Sequence, residues 1–243
     1  MTDTVEQTSD GAIVYDTDIL AQISESAFTA AAWASATPVG GALRSGGRGT
    51  TLIVSDGQNE FVLRHYMRGG LPGKIVRDRY LWTGERETRS FSVWYLLAKL
   101  FKRGLPVPRP VAARYCRRGP FYTADLLTQR IPGIRSLAGR IIEAPGSRAF
   151  WRGIGSGIHR FHDEGVYHAD LNAYNVQVNE KDELFLLDFD RGKLMQPGVW
   201  RQKNLARLHR SLQKIRSLDK RARFSKAEWN ELLEGYFSES RSA

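Results

Sequence analysis

Apolar positions run along this chain in two rhythms. A period of three and four marks helices. Thr88 to Phe101 carries Phe91, Trp94, Tyr95, Leu97, Ala98 and Phe101 on one face or its flanks. Ser147 to Asp163 repeats Trp151, Ile154, Ile158 and Phe161, and Trp200 to Leu218 repeats Leu205, Leu208, Leu212 and Ile215. Residues 226–237, with Trp229, Leu232, Leu233 and Phe237, predict a short last helix, and residues 16–36, with Ile19, Leu20, Ile23, Ala27 and Ala30, predict an early one. Shorter runs rich in β-branched and aromatic residues predict strands at Phe61–Tyr66, Val111–Tyr115, Phe121–Thr128 and Leu184–Leu187. Residues 1–10 are polar and are expected to be loose. Gly104-Leu105-Pro106-Val107-Pro108 stops the helix before it, and Gln129-Arg130-Ile131-Pro132-Gly133 interrupts the strand before it.

Composition narrows the class. The 243 residues and 42% apolar content allow one large domain or two small lobes with a real core. A single cysteine, Cys116, forbids an internal disulfide and suits a reducing compartment. No apolar run reaches eighteen residues, so no membrane-spanning helix is expected, and the N-terminus lacks the basic-then-apolar order of a signal peptide. The net charge of +10 is unevenly placed: residues 1–43 hold six acids and no Lys or Arg, and the chain from Arg44 onward carries +16. Residues 191–226 alone contain twelve basic residues and one acid, Asp219. Such a surface seeks a polyanion. On the helix from Trp200, Lys203, Arg207, Arg210 and Lys214 oppose the apolar face, which fits an anionic lipid surface. Charge alone also fits a nucleic-acid binder, but no nucleic-acid motif is present and none is expected as a partner.

The chemistry concentrates between Val166 and Gly192. His168-Ala169-Asp170-Leu171-Asn172-Ala173-Tyr174-Asn175 is followed, after a short strand, by Asp188-Phe189-Asp190-Arg191-Gly192. These resemble the H-R-D-L-x-x-x-N loop and D-F-G motif of the protein-kinase-like fold. Transfer of a γ-phosphoryl group to an alcohol requires neutralised phosphate charge and an aimed hydroxyl. A carboxylate and an amide oxygen are suitable hard ligands for magnesium. The resemblance therefore assigns Asn175 and Asp188 to Mg2+ and Asp170 to the attacking hydroxyl, as base or orienting group. Asp190 replaces the glycine of D-F-G and suits either the metal or a braced turn. His168 reads as an orienting residue, and His159 and His162, without ligand partners at useful spacing, read as structural.

Upstream, Gly46-Gly47-Arg48-Gly49 suits either a tight hairpin or a loop whose amides cover ATP phosphates. Its spacing is not G-x-G-x-x-G. Arg64 stands where kinases carry a strand lysine toward the phosphates, and Val93 stands where the pairing glutamate is expected, with Glu87 as a nearby substitute. Gln129 to Ile131 looks like the hinge whose backbone meets adenine. Arg68-Gly69-Gly70-Leu71-Pro72-Gly73-Lys74, followed by Arg77, Arg79 and Arg86 with Tyr80 and Trp82, reads as either a solvated loop or an acceptor-binding one, and the acceptor reading is favoured.

Taken together with Leu63-Arg64-His65-Tyr66, Gly104-Leu105-Pro106-Val107-Pro108-Arg109-Pro110 and Ala124-Asp125-Leu126-Leu127-Thr128, these motifs resemble the 3-deoxy-D-manno-octulosonic acid (Kdo) kinases of Gram-negative bacteria, relatives of the lipopolysaccharide core heptose kinases. The resemblance runs from about Gly46 to about Leu212. It implies an α+β, protein-kinase-like bilobal fold. A small, mostly antiparallel β N-lobe (residues 1–130) and a mainly helical C-lobe (residues 131–243) form one functional domain. It further implies ATP- and Mg2+-dependent phosphorylation of the 4-hydroxyl of Kdo on Kdo-lipid IVA, by a peripheral protein at the cytoplasmic face of the inner membrane. The alternatives are a kinase for another core sugar or small molecule, and a non-catalytic binding module on the same scaffold. The absence of an A-P-E segment argues against a protein substrate.

Overall fold

A computed structural model describes residues 1–39, 51–67 and 78–238. The glycine-rich stretch Gly46–Gly49 and the segment from Arg68 to Arg77 lie outside the described residues. Cα distances divide the chain into two compact units, Met1–Gly104 with Pro108–Ile131, and Leu105–Val107 with Pro132–Ala243.

The first unit is an antiparallel sheet carrying one long helix. Its strands are β1 (Asp3–Gln7), β2 (Gly11–Asp16), β3 (Ser35–Pro38), β4 (Thr51–Ser55), β5 (Glu60–His65), β6 (Tyr80–Leu81), β7 (Pro110–Arg118) and β8 (Phe121–Gln129). They lie in the order β1-β2-β7-β8-β5-β4-β3, with β6 added to β8. Alternation puts Ile13, Tyr15, Phe61, Leu63, Val111 and Leu127 on one buried face. Helix α1 (Arg89–Lys102) packs against β7 and buries Phe91, Trp94 and Leu97, with Phe91 5.2 Å from the Tyr115 ring. It ends at Gly104, whose φ of 70° is the left-handed geometry that closes helices at low steric cost.

Two expectations for the N-terminal region fail. Residues 3–7 are not loose: β1 pairs with β2 over its whole length, Val5 opposite Val14. Residues 16–36 are not a helix. They form an irregular strap with two 3-10 turns, Glu25–Phe28 and Ala30–Ala32, before β3. The apolar spacing is real, and Ile19, Leu20, Ile23 and Trp33 do pack on the sheet core. Small polar side chains divert the backbone. Asp16 accepts from the Asp18 N–H, Ser24 bonds Ser26, and Thr29 Oγ1 donates to the Ser26 carbonyl at 2.7 Å. Such local bonds compete with the helical ladder.

The second unit is mainly helical. Helix α2 (Leu137–Glu143) starts at Ser136, whose hydroxyl accepts from the Gly139 N–H. Helix α3 (Arg148–Asp163) starts at Ser147, which caps the Phe150 N–H in the same way. Helices α4 (Trp200–Leu218) and α5 (Lys226–Ser238) complete it, and α3 packs most extensively on α5. Short strands fill the gaps between helices: β9 (Arg135–Ser136), β10 (Val166–Tyr167), β11 (Val176–Val178), β12 (Leu184–Leu186) and β13 (Lys193–Leu194). Trp151, Ile154, Ile158, Phe161, Leu208 and Leu212 are at most 1% exposed, so the apolar faces read on α3 and α4 are core faces, whereas on α5 Leu232 is buried and Phe237 is 52% exposed. The β-rich first unit and helical second unit make the chain α+β.

Candidate active site

The chain from Val166 to Gly192 is a strand, a loop, a hairpin and a turn. β10 pairs with β13, which closes the stretch on itself. β11 and β12 pair with Val176 opposite Leu186, and the Leu187 N–H donates to the Asn175 carbonyl at 3.0 Å. This register brings Asn175, just before the hairpin, beside Leu187 and Asp188, just after it. Residues thirteen apart in sequence thus flank one end of the hairpin.

The loop from His168 to Asn175 is fastened mostly through its main chain. Asn172 Oδ1 accepts from the N–H groups of Tyr174 (2.8 Å) and Asn175 (3.1 Å), while its Nδ2 donates to the Asp170 carbonyl. Asn175 is 8% exposed and its Nδ2 donates to the same carbonyl at 2.9 Å. That bond fixes the amide so that Oδ1, the atom fit for a hard cation, is turned away from the donor side. Asp188 sits at φ 61°, the left-handed region that a non-glycine residue rarely adopts. Strain of this kind persists where the surroundings over-determine it, and it collects at functional sites. Phe189, only 2% exposed, anchors the turn, its ring 5.0 Å from His168 and 6.4 Å from Phe161.

His168 orients the loop and relays no proton. Its Nε2 donates to the Leu187 carbonyl at 2.9 Å, and its Nδ1 accepts from the Asp170 N–H at 3.2 Å. Both ring nitrogens are thereby committed, and burial lowers its pKa, keeping the ring neutral.

Two residues of α4 complete the site, and sequence reasoning missed both roles. Asn204, 3% exposed, binds both backbone groups of His168: its Oδ1 accepts from the His168 N–H at 3.2 Å and its Nδ2 donates to the His168 carbonyl at 3.0 Å. The signal for it was an amide set among Leu205, Leu208 and Leu212 on an apolar face. Arg207, counted above among the residues meeting a membrane, instead grips Asp170: Nε and Nη2 lie 2.8 and 2.5 Å from Oδ1. Asn204 and Ser211, whose hydroxyl accepts from the Ala173 N–H, seat α4 against the loop, and Arg207 lies between them on that side. Lys203, Arg210 and Lys214 remain exposed.

The first unit holds the other expected residues. Arg64 faces Leu126 across β5 and β8, with its Cζ 5.1 Å from the Tyr66 ring. Val93, at the position where a pairing acid was sought, is 4% exposed and packs in the core face of α1. The neighbouring His65 makes its own pair: Nδ1 lies 2.7 Å from Asp125, whose other oxygen takes two bonds from Arg114. The hydrogen bond to Asp125 raises the His65 pKa. At the interruption after β8, the Gln129 N–H is bound to the Arg109 carbonyl and the Arg130 N–H to the Glu60 carbonyl. Among the described residues the Ile131 N–H has no such bond. Tyr80 and Trp82, favoured above as part of an acceptor loop, are packing residues: Tyr80 is 7% exposed and accepts from Arg89, and Trp82 lies 5.0 Å from the Tyr115 ring.

With this geometry in place, comparison with known proteins decides the family. Residues 33–236 match the lipopolysaccharide kinase (Kdo/WaaP) family. The chain belongs to that family. It is 46% identical over 208 residues, 85% of this chain and 82% of the relative, to a 3-deoxy-D-manno-octulosonic acid kinase of Xanthomonas euvesicatoria. The same figures hold for the kinase of that name from Stenotrophomonas maltophilia. Among solved structures, a Cydia pomonella granulovirus kinase aligns with a TM-score of 0.40 at 10% identity, over 62% of this chain and 50% of that one. Membership in the lipopolysaccharide kinase family makes the chain a phosphotransferase. No described helix is long and apolar enough to cross a membrane.

Proposed function

We propose that this member of the family phosphorylates Kdo in lipopolysaccharide core biosynthesis, at the 4-hydroxyl of Kdo on Kdo-lipid IVA, with ATP as phosphoryl donor and Mg2+ as cofactor. The observation that carries the reading is the carboxylate of Asp170, half-exposed on a loop that Asn172, Asn175 and Asn204 hold rigid. One of its oxygens is engaged by Arg207. The other accepts the hydrogen of the acceptor hydroxyl and aims its oxygen at phosphorus.

Asn175 and Asp188 supply an amide oxygen and a carboxylate, a donor set that fits Mg2+. The Asn175 bond to the Asp170 carbonyl and the left-handed backbone of Asp188 support this use. Mg2+ bound there would neutralise phosphate charge. Toward ATP, Arg64 is assigned to phosphate and Gly46, Gly47, Arg48 and Gly49 to the covering loop. Of Gln129 and Ile131, Ile131 is the adenine-facing donor, since the Gln129 N–H is already bonded. The exposed cations Lys203, Arg210 and Lys214 support peripheral attachment to the anionic cytoplasmic face of the inner membrane.

The test is phosphate transfer from labelled ATP to purified Kdo-lipid IVA. We expect Mg2+-dependent transfer that falls by about 10²–10⁴-fold in Asp170→Ala, the range for loss of a positioned acid–base group. Full-rate transfer by that variant would sink the assignment. Normal ATP binding without transfer to any lipopolysaccharide precursor would favour a binding module.

A further inference from the structure

Asn204, Arg207, Leu208 and Ser211 recur along α4 at spacings of three and four, which stacks side chains on one side of a helix. Three of them have structural roles. Asn204 and Ser211 bind main-chain groups of His168 and Ala173, and Leu208 is fully buried. Arg207 differs in what it touches and where. It reaches a side chain, and both its Nε and Nη2 converge on the single oxygen Oδ1 of Asp170. The pair is wet: Arg207 is 47% and Asp170 50% exposed. An ion pair so open to water contributes at most about 1 kcal/mol to folding. Its neighbours already fasten helix to loop, so the fold has little need of it.

We infer that Arg207 is a positioning residue for phosphoryl transfer. Its guanidinium holds the Asp170 carboxylate in one rotamer through Oδ1 and reserves Oδ2 for the acceptor hydroxyl. The inference rests on the role given to Asp170 above. In the step itself, a lone pair of the acceptor oxygen forms the new bond to the γ-phosphorus. The bond from that phosphorus to the β,γ-bridging oxygen breaks, and its electron pair leaves with the nucleoside diphosphate. The acceptor proton passes to Asp170 Oδ2 and from there to solvent. Because phosphoryl transfer passes through a loose transition state, the aim of the hydroxyl matters more than early proton removal. A carboxylate free to rotate aims poorly, and a misplacement of about 1 Å can cost on the order of 10²-fold in rate. A lysine cannot reproduce the contact, since one ammonium replaces two donors of a planar fork.

The experiment compares wild type, Asp170→Ala, Arg207→Ala and Arg207→Lys in the labelled-ATP assay with Kdo-lipid IVA, beside thermal melting. For Arg207→Ala we expect kcat to fall by about 10²-fold with KM for both substrates nearly unchanged. We expect its melting temperature to stay within about 3 °C of wild type. Arg207→Lys should fall between. Guanidinium ion at millimolar concentration, far below denaturing levels, should restore part of the Arg207→Ala rate, and it should leave Asp170→Ala unchanged. If Asp170→Ala is active at full rate, the assignment of Asp170 falls and this inference with it. If Asp170→Ala is inactive and Arg207→Ala has wild-type kcat, the positioning role alone falls. It falls equally if Arg207→Ala loses activity in step with its melting temperature and guanidinium restores none.

Discussion

His162 and His168 are kept neutral by the protein around them, and each makes the fold less stable in acid, opposite in sign to His65, whose bond to Asp125 raises its pKa. Burial pushes the His162 pKa from 6.5 down to about 4, with its Nδ1 2.7 Å from the Tyr236 hydroxyl. Below pH 6.5 the unfolded chain takes up a proton there that the folded chain refuses until about pH 4. Stability is therefore full above pH 6.5 and declines toward pH 4, by up to about 3 kcal/mol from this residue. Melting temperature should be lower at pH 5 than at pH 7, and the gap should narrow in His162→Gln; an unchanged gap would point elsewhere. Asn204→Ala should be more damaging than any exposed substitution on α4. It strips partners from two buried main-chain groups, each worth roughly 1–3 kcal/mol when left unsatisfied. Circular-dichroism melts and the transfer assay should both register it. The residues with fixed spacing, Asp170, Asn175 and Asp188, were legible in the sequence because a loop and a hairpin bring them together locally. Asn204 and Arg207 were not, because they reach the loop from a helix more than thirty positions later, where the pattern announced only a basic amphipathic face.

At the level of elements, α3 and α5 are packed closer than side chains permit. A Cβ on Gly155 would lie 2.0 Å from the Leu232 carbonyl oxygen, and one on Gly235 would lie 2.1 Å from that of Arg152. Both obstacles are backbone, so the helices themselves would have to part. Gly155→Ala and Gly235→Ala should each cost roughly 1–3 kcal/mol or more in urea unfolding. Gly153, also on α3, has open space around it, and Gly153→Ala should stabilise by roughly 0.5–1 kcal/mol. If all three behaved alike, close approach would not be the cause. The long helices were readable because their apolar faces repeat over three turns or more. The strap at residues 17–34 shows the limit of that reading: the same spacing buries Ile19, Leu20 and Ile23 with no helix, because Ser24, Ser26 and Thr29 bond locally. β9, β10 and β13, two residues each, are too short to carry any rhythm.

For the whole molecule, charge is the property that reaches beyond the fold. The net +16 from Arg44 onward includes Lys203, Arg210 and Lys214, all exposed on α4 and free of Arg207's tie to Asp170. Sedimentation with anionic vesicles should weaken when these three are neutralised together, and higher salt should weaken it in wild type as well, each charge near the surface contributing about 1 kcal/mol. Binding that ignores both changes would separate the basic helix from membrane attachment. The way α4 and Asn172 hold the loop from His168 to Asn175 has a further consequence for descent and redesign. Asn204, Ser211 and Asn172 recognise amide and carbonyl groups that every residue but proline possesses. Ala169 and Tyr174, half-buried beside Asp170 and Asn175, can therefore be exchanged without disturbing how the loop is suspended. A scaffold that grips the chain and ignores its lettering at those positions lets Ala169 and Tyr174 vary while Asp170 and Asn175 keep their placement.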